Sequence, residues 1–477
     1  MNDKVNIRKV DPVILGCYIF LLIFGWMNIY ASSTQDTGFS AFDPSAKYAM
    51  QLIWIGSAIL IDIMVLRFIP KSFYNVFSLA IYLFTLALLF ITIFIGKEVN
   101  GSKSWLVIGS FRIQPAEFSK IAVALMLSTI MEKYTFSFKS RLDVLKVLTV
   151  LALPAGCILL EKETGLILVY AAFFLVFYRE GMSGWVLMSG LLAILFFILT
   201  LILSPFAAIV IWTGLVFIYA AFTSRRFWLT LGIGAAATAL LANAFLLERI
   251  DALKPYLEIA EPEILTAAVL IPVALGIIIY SFIAKTEARL RRMAAAFILG
   301  VGFIISCDFA FNTVLQDHQR LRIEELLGMK DDPMGAGYNV RQSMIAIGSG
   351  GLTGKGFTQG TQTRFDFVPE QSTDFIFCTV GEEWGFIGSL AVIICYAMLI
   401  MRLYNSAEKQ KDRFNRIFGY CVASCILLHV VINLGMTIGL MPVIGIPLPM
   451  LSYGGSSLWV FSILIFVYLR LDMESKW

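Results

Sequence analysis

Asp374 stands where a polar, glycine-rich stretch runs into a long apolar one, with Thr373 before it and Phe375-Ile376-Phe377 after it. A carboxylate there feels two opposed influences. The positive end of a starting helix favours its ionised form, and apolar neighbours favour its neutral form. A group so poised can serve as a general base. The bland alternative is a helix cap, a role that Thr373 can fill, leaving Asp374 in the first turn. Glu382 and Glu383 follow about two turns further in. Paired carboxylates at that depth can bind a cation or share a proton; hydrogen bonding between helices is the equal alternative.

Glu117 and Lys120 are three residues apart in another apolar run, so they share a helix face. An ionisable residue inside a span costs roughly 2.5–3.5 kcal/mol, which disfavours leaving either one unpaired. They read as an ion pair beneath the helix start Gln114-Pro115, lining a polar cavity or serving packing alone. Arg320, Arg322 and Lys355 are cations that suit an anionic ligand such as a diphosphate, with solvated loop charges as the alternative. The glycines at 348, 350, 351, 354 and 356 form a loose pattern that can cradle phosphate but is not a P-loop. Between Met441 and Ser457 three prolines (Pro442, Pro447, Pro449) forbid a regular helix. At membrane depth such a segment lines a cavity or is buried in protein, which makes Ser452 and Tyr453 polar groups of a re-entrant turn. His429, in an apolar run, reads as a helix-packing residue.

The elements that must position these groups are membrane helices. The chain has 477 residues, 59% hydrophobic and 15% charged. Its many apolar runs are each long enough to cross roughly 30 Å of hydrocarbon, and their unbroken character excludes a membrane barrel. The expectation is an all-α, polytopic integral membrane bundle of about 14 spans. The first run, Pro12–Ala31, reads as a span rather than a cleavable leader. Lysine and arginine cluster in alternate short loops, which places both termini in the cytoplasm. The long loop 316–373, Val99–Arg112 and Met441–Tyr453 then share the opposite face. The net charge of +4 comes from helix ends and gives no reason to expect nucleic acid. All seven cysteines fall in apolar runs without metal spacing and read as small buried residues. The expected organisation is an N-terminal core part, 1–204, an accessory helical block, 205–292, and a C-terminal core part, 293–477, that carries the large loop 316–373.

Taken in order, these residues resemble the RodA/FtsW, or SEDS, family of peptidoglycan polymerases. The matching motifs are Gly101…Trp105, Phe111-Arg-Ile-Gln114-Pro-Ala-Glu117-Phe-Ser-Lys120, Gln319-Arg320-Leu-Arg322 and Asp332-Pro-Met-Gly-Ala-Gly-Tyr338. Then come Gln342-Ser343, Ala346-Ile-Gly-Ser-Gly-Gly-Leu352, Gly354-Lys355-Gly356, Gly360-Thr-Gln362, Phe367-Val-Pro-Glu370, Thr373-Asp374 and Glu382-Glu383. Last is Pro447-Leu-Pro…Leu451-Ser452-Tyr453-Gly-Gly455. The spelling leans towards RodA, the elongation member. Two departures stand out: Ser372 where histidine is usual, and Glu161-Lys-Glu-Thr-Gly165 in place of Gln-Pro-Asp-Leu-Gly.

The resemblance implies a core of about ten spans, so about four are inserted here. It implies that Asp374 is required for polymerisation and that Glu117 and Lys120 are the family's intramembrane ion pair. Trp105, Gln114, Gln342, Ser343, Thr373, Ser452 and Tyr453 enter as supporting positions. The activity implied is a glycosyltransferase of cell elongation and rod shape that polymerises lipid II at the outer face of the cytoplasmic membrane. Arg320, Arg322 and Lys355, or a divalent cation (Mg or Mn), would offset charge on the diphosphate leaving group. No transpeptidase sequence is present, so the implied partner is a class B penicillin-binding protein, with other elongation-complex membrane proteins. A lipid II flippase is the competing reading, and a recruiting scaffold the third. A flippase needs charges through the full membrane depth, and here they crowd the outer half.

Overall fold

The structure, a computed structural model, describes residues 10–33, 46–99, 102–109, 111–223, 227–244, 270, 271, 274, 288–315, 317–329, 337–365 and 367–475. The chain is mostly helical. Ten helices among the described residues are long and apolar enough to cross a membrane. Helices prevail because hydrocarbon offers backbone groups no partners, so each run must satisfy its own. Most of 245–287 lies outside the described residues. So do Gly101 and the Asp332–Ala336 part of its motif.

Contacts divide the chain into two compact units, one of residues 1–183 and 332–477, the other 184–331. In the first, α1 (Pro12–Ser33), α2 (Lys47–Phe68), α3 (Lys71–Val76) and α4 (Ser78–Ile95) lead to a small sheet. After it come α5 (Pro115–Met131), α6 (Arg141–Leu160), α7 (Thr164–Val169) and α8 (Ala172–Arg179). The second unit holds α9 (Gly184–Ile202), α10 (Pro205–Thr223), α11 (Phe227–Ala244), α12 (Ala288–Phe309) with a π-helical turn at Ala310–Val314, and α13 (Asp317–Leu326). Its core is Phe196, Ala208, Ile209, Val301 and Ile304. The chain then returns to the first unit with α14 (Tyr338–Ser349), α15 (Thr361–Arg364), α16 (Ile376–Glu408), α17 (Arg413–Thr437) and α18 (Gly455–Ser475).

Two expectations are corrected. The fold is not purely helical: β1 (Lys97–Val99), β2 (Ser102–Ile108) and β3 (Phe111–Ile113) form an antiparallel sheet in the order β1-β2-β3. Leu106 pairs with Ile113 and Ile108 with Phe111 around the tight turn at Gly109, whose φ is +63°. The short loop satisfies much of its backbone by pairing with itself, and the Lys103 amide donates to the Glu161 carbonyl at 3.0 Å. Nor is 316–373 a structureless loop, since α13, α14 and α15 lie within it.

The first unit is held by α16 on α17, α2 on α18, α4 on α5 and α1 on α16. Proline at the first position starts α5. Asp412 caps α17 by accepting from the Phe414 amide at 3.0 Å. One buried polar knot crosses three helices: the Tyr18 hydroxyl donates to Asp62 at 2.7 Å and meets Ser462 at 2.6 Å.

Candidate functional site

Asp374 lies one step earlier than expected. It belongs to a tight turn in which the amides of Thr373, Asp374 and Phe375 all point to the Glu370 carbonyl, at 3.2, 3.2 and 3.3 Å. Helix α16 starts only at Ile376 and has no side-chain cap. Thr373 is therefore not the cap; its hydroxyl donates to the Glu370 carbonyl at 3.1 Å. Asp374 itself is half-buried. Its main-chain carbonyl accepts from Asn433 Nδ2 at 2.8 Å, and the same nitrogen donates to the Ile446 carbonyl at 2.7 Å. Gly445, with φ +77°, lies beside the carboxylate, and a Cβ there would stand 3.4 Å from Asp374 Oδ2. The proline-rich segment thus packs on the catalytic candidate. Ser372, where histidine is usual in the resembled family, accepts from Lys47 Nζ at 2.9 Å, and its carbonyl accepts the Tyr453 amide at 2.8 Å. Ser452 closes the same turn by accepting the Leu448 amide at 2.9 Å.

The ion pair forms as expected: Lys120 Nζ is 2.6 Å from Glu117 Oε2, with side chains 1% and 3% exposed. His429 is more than packing. Its Nε2 is 3.0 Å from Lys120 Nζ and its Nδ1 3.2 Å from the Pro447 carbonyl. The Phe461 ring closes the group, with Lys120 4.9 Å and the imidazole 4.8 Å from its centroid.

The glycine-rich segment pairs its backbone with a broken helix. Gly385, with φ 63° and ψ −157°, breaks α16 in mid-course. A broken helix leaves donors and acceptors that an apolar interior cannot satisfy. The segment supplies them: the amides of Phe386 and Ile387 donate to Gly351 and Leu352, while those of Lys355 and Gly356 donate to Glu382 and Glu383. Backbone must touch backbone for this. A Cβ on Gly350 would collide with the Gly381 carbonyl, and one on Gly354 with that of Glu383.

Glu382 is likewise occupied. It accepts from Lys355 Nζ at 2.6 Å, the Thr361 hydroxyl at 3.2 Å, and the Gln362 and Thr363 amides at 2.9 Å each. Lys355 thus forms an ion pair with the buried Glu382. Glu383 is buried, and its Oε2 has no partner among the described residues.

The sheet holds a further carboxylate. Ser102 and Ser104 project from one face of β2 and donate to Glu163 Oε1 at 3.0 and 2.8 Å, and Gln114 Nε2 joins at 3.1 Å. Glu161 sits in the turn after α6, fully buried, both oxygens without a partner among the described residues. Burial, then the Glu163 charge, pushes its carboxyl from the ordinary 4.5 up to about 8.

Of the remaining candidates, Trp105 is half-buried on β2. Gln342 and Ser343 lie on α14, where the Ser343 hydroxyl donates to the Thr437 carbonyl at 3.0 Å. Arg320 and Arg322 belong to α13 in the other unit; Arg320 pairs with Glu324 at 2.9 Å and lies over the Phe311 ring at 5.2 Å. The structure therefore brings together Asp374, Ser372 and Tyr453, then Glu117 with Lys120, then Lys355 with Glu382. Sequence reasoning missed Lys47, Asp62 and Asn433, and the polar role of His429. The available signal for the last two was two polar groups four residues apart in an apolar helix. Among the described residues no three His, Cys, Asp or Glu side chains converge as a metal-holding group.

These features define a multi-pass helical membrane protein with a carboxylate held at the start of a broken helix. The chain belongs to the FtsW/RodA/SpoVE family of cell cycle proteins, which matches residues 12–214 and 213–477. It is 31% identical over 457 residues to the peptidoglycan glycosyltransferase RodA of Treponema pallidum (strain Nichols), covering 95% of each chain. It is 28% identical over 482 residues to the peptidoglycan glycosyltransferase MrdB of Escherichia coli (strain K12), covering 99% of this chain and 96% of that one. Among solved structures it resembles a chain from a peptidoglycan synthase complex, with TM-score 0.59 and 22% identity over 98% of both chains. It also resembles Thermus thermophilus rod shape determining protein RodA, with TM-score 0.55 and 18% identity over 98% of both. At these identities the structural likeness shows the fold alone.

Proposed function

We propose that this chain is a peptidoglycan glycosyltransferase that polymerises lipid II, a disaccharide-peptide carried on a polyprenyl diphosphate, during cell elongation. Family membership and the names of its relatives support that activity. One observation carries the site: the half-buried carboxylate of Asp374, its main chain fixed by Asn433, with Gly445 beside its Oδ2. In this reading Asp374 takes the proton of the acceptor sugar 4-hydroxyl. That oxygen bonds to the donor anomeric carbon as the bond to the diphosphate oxygen breaks, and the diphosphate leaves with the electron pair, inverting the centre. Lys47, hydrogen-bonded to Ser372, is a cation in direct contact with this turn, and it takes the leaving-group role in place of Lys355, which is paired with Glu382.

The membrane reading completes the proposal: about 14 spans, both termini cytoplasmic, the site at the outer face of the cytoplasmic (inner) membrane, and a class B penicillin-binding protein as crosslinking partner. The test is to purify the chain and its Asp374→Ala variant, supply lipid II with and without that partner, and resolve glycan polymer on a gel. Polymer from the parent and none from a folded variant is expected. No polymer from the parent in either condition would overturn the reading and favour a flippase.

A further inference from the structure

Helix α17 carries His429 and Asn433 four residues apart, on one face, and both are fully buried. Their partners dictate their states. The Lys120 ammonium can only donate and the Pro447 carbonyl can only accept. His429 is therefore neutral, with its hydrogen on Nδ1 and Nε2 accepting from Lys120. Asn433 turns both amide hydrogens to carbonyls, those of Asp374 and Ile446. The flipped amide would set oxygen against oxygen, so the orientation is fixed.

The bonds form one line. Glu117 holds Lys120, Lys120 holds His429, and His429 holds the carbonyl of Pro447. One residue earlier, the carbonyl of Ile446 shares Asn433 with that of Asp374, while Gly445 rests against the Asp374 carboxylate. A shift of the proline segment therefore moves both the anchor of Asp374 and the surface beside its Oδ2. Neither His429 nor Asn433 needs to meet substrate for this to matter.

We propose that His429 and Asn433 are positioning residues for Asp374, and that the buried Glu117–Lys120 pair acts on the reaction through them. This rests on the assignment of polymerase chemistry to Asp374. The line makes a distinct demand on each group: His429 must accept at one end and donate at the other, and Asn433 must donate twice. Asn433→Asp keeps the volume and removes the double donor. His429→Leu removes both ends, whereas His429→Gln keeps one donor and one acceptor.

The experiment measures kcat, the KM for lipid II and thermal stability for these variants of the full chain. Ser424→Ala on the same helix is the control, because it loses only a buried bond to Tyr404. For Asn433→Asp we expect kcat to fall roughly 10–100-fold, the scale of a misplacement of about 1 Å, with KM within about a factor of two. His429→Gln should retain more activity than His429→Leu, and the double variant His429→Leu/Asn433→Asp should lose less than the product of the two single losses. A rise in KM at constant kcat overturns the proposal, as does equal damage from His429→Gln and His429→Leu. So do strictly multiplicative losses, or a loss of kcat that merely tracks stability as in the control. Should Asn433→Asp fail to fold, the comparison of His429→Gln with Ser424→Ala decides. If the parent makes polymer and these variants equal it, only the positioning role fails. A parent that makes none removes the polymerase reading itself.

Discussion

Polar residues in the two compact units solve the same problem in different ways. In the second unit Thr200, Thr213, Thr238 and Ser306 each donate to the carbonyl one turn back in their own helix, at 2.6–2.8 Å. Such a bond satisfies the hydroxyl and asks nothing of any neighbour. Among the described bonds of that unit, Trp212 Nε1 to the Phe297 carbonyl, at 3.3 Å, reaches across helices. The first unit uses back-bonding too, at Thr92 and Ser128 for example. Among the described bonds, several of its side chains also reach other elements: Tyr18 to Asp62, Asn415 to Leu471, Tyr404 to Ser424, His429 to Pro447 and Asn433 to Asp374. Self-satisfied polar groups let helices slide and repack, whereas cross-linked ones fix a register. The lesson is that apolar composition alone does not tell a cross-linked bundle from a self-satisfied one. The destination of each polar bond does.

The comparison is broken most forcefully where backbone meets backbone. Gly354→Val would drive a side chain into the Glu383 carbonyl and undo the repair of the break at Gly385. Loss of folded, monodisperse protein is expected, read by size-exclusion chromatography. Gly348, six residues earlier, has open space where a Cβ would stand. Gly348→Ala should give normal yield, which separates the splice from a general need for glycine.

Next in size is the ion pair. Lys120→Met leaves Glu117 buried without its cation, which costs about 3–5 kcal/mol where a buried pair is broken. The double variant Glu117→Leu/Lys120→Met removes both charges and should recover most of that stability. It should not recover polymerisation, because His429 still lacks its donor. Thermal stability and polymer assays on the same preparations check both halves. Recovery of activity along with stability would make the pair a packing device and nothing more.

A smaller effect tests the sheet. Glu161 holds its proton up to about 8 in the folded chain against an ordinary 4.5. Between those values the folded state binds more protons than the unfolded one, so stability must fall as pH rises across that window. Its contribution is complete below the unfolded value and is lost as pH passes the folded one. Glu161→Gln removes the titration. The variant's melting temperature should vary less than the parent's between about pH 5 and 8, and should exceed it at the upper end. Parallel curves would mean that Glu161 is solvated in the folded chain.

How much of this was legible follows from the range of each interaction. The helices could be read because their signal is local: an apolar run must bond its own backbone. Glu117 and Lys120 were found because they sit three residues apart. Asp374 was found because a carboxylate beside Phe375-Ile376-Phe377 is chemically out of place. Lys47 and Ser372, 325 positions apart, meet only in the fold, and so do Lys120 and His429, 309 apart. No local pattern carries such pairs. The structural part played by the glycine run was missed for a related reason. Its partner is the break at Gly385, and a glycine in a helical run does not by itself announce a break. The sheet was hidden because a short polar loop looks the same whether or not it pairs with itself.

The gentlest test is the one that tries to erase the comparison. Thr213→Val removes a hydroxyl that serves only the Ile209 carbonyl in its own helix. The two side chains have similar shape, and the carbonyl keeps its helical amide, so no buried group is stranded. Stability should change by no more than about 0.5 kcal/mol, and polymerisation should stay at the parental rate. The equivalent loss in the first unit, Asn433→Ala, removes bonds to two carbonyls in other segments and should slow the reaction many-fold. Two buried polar deletions in two apolar helices would then differ by where their bonds led rather than by how deeply they lay. If Thr213→Val slowed polymerisation as much, the self-satisfied hydroxyls would not be inert, and the second unit would have to take part in the chemistry.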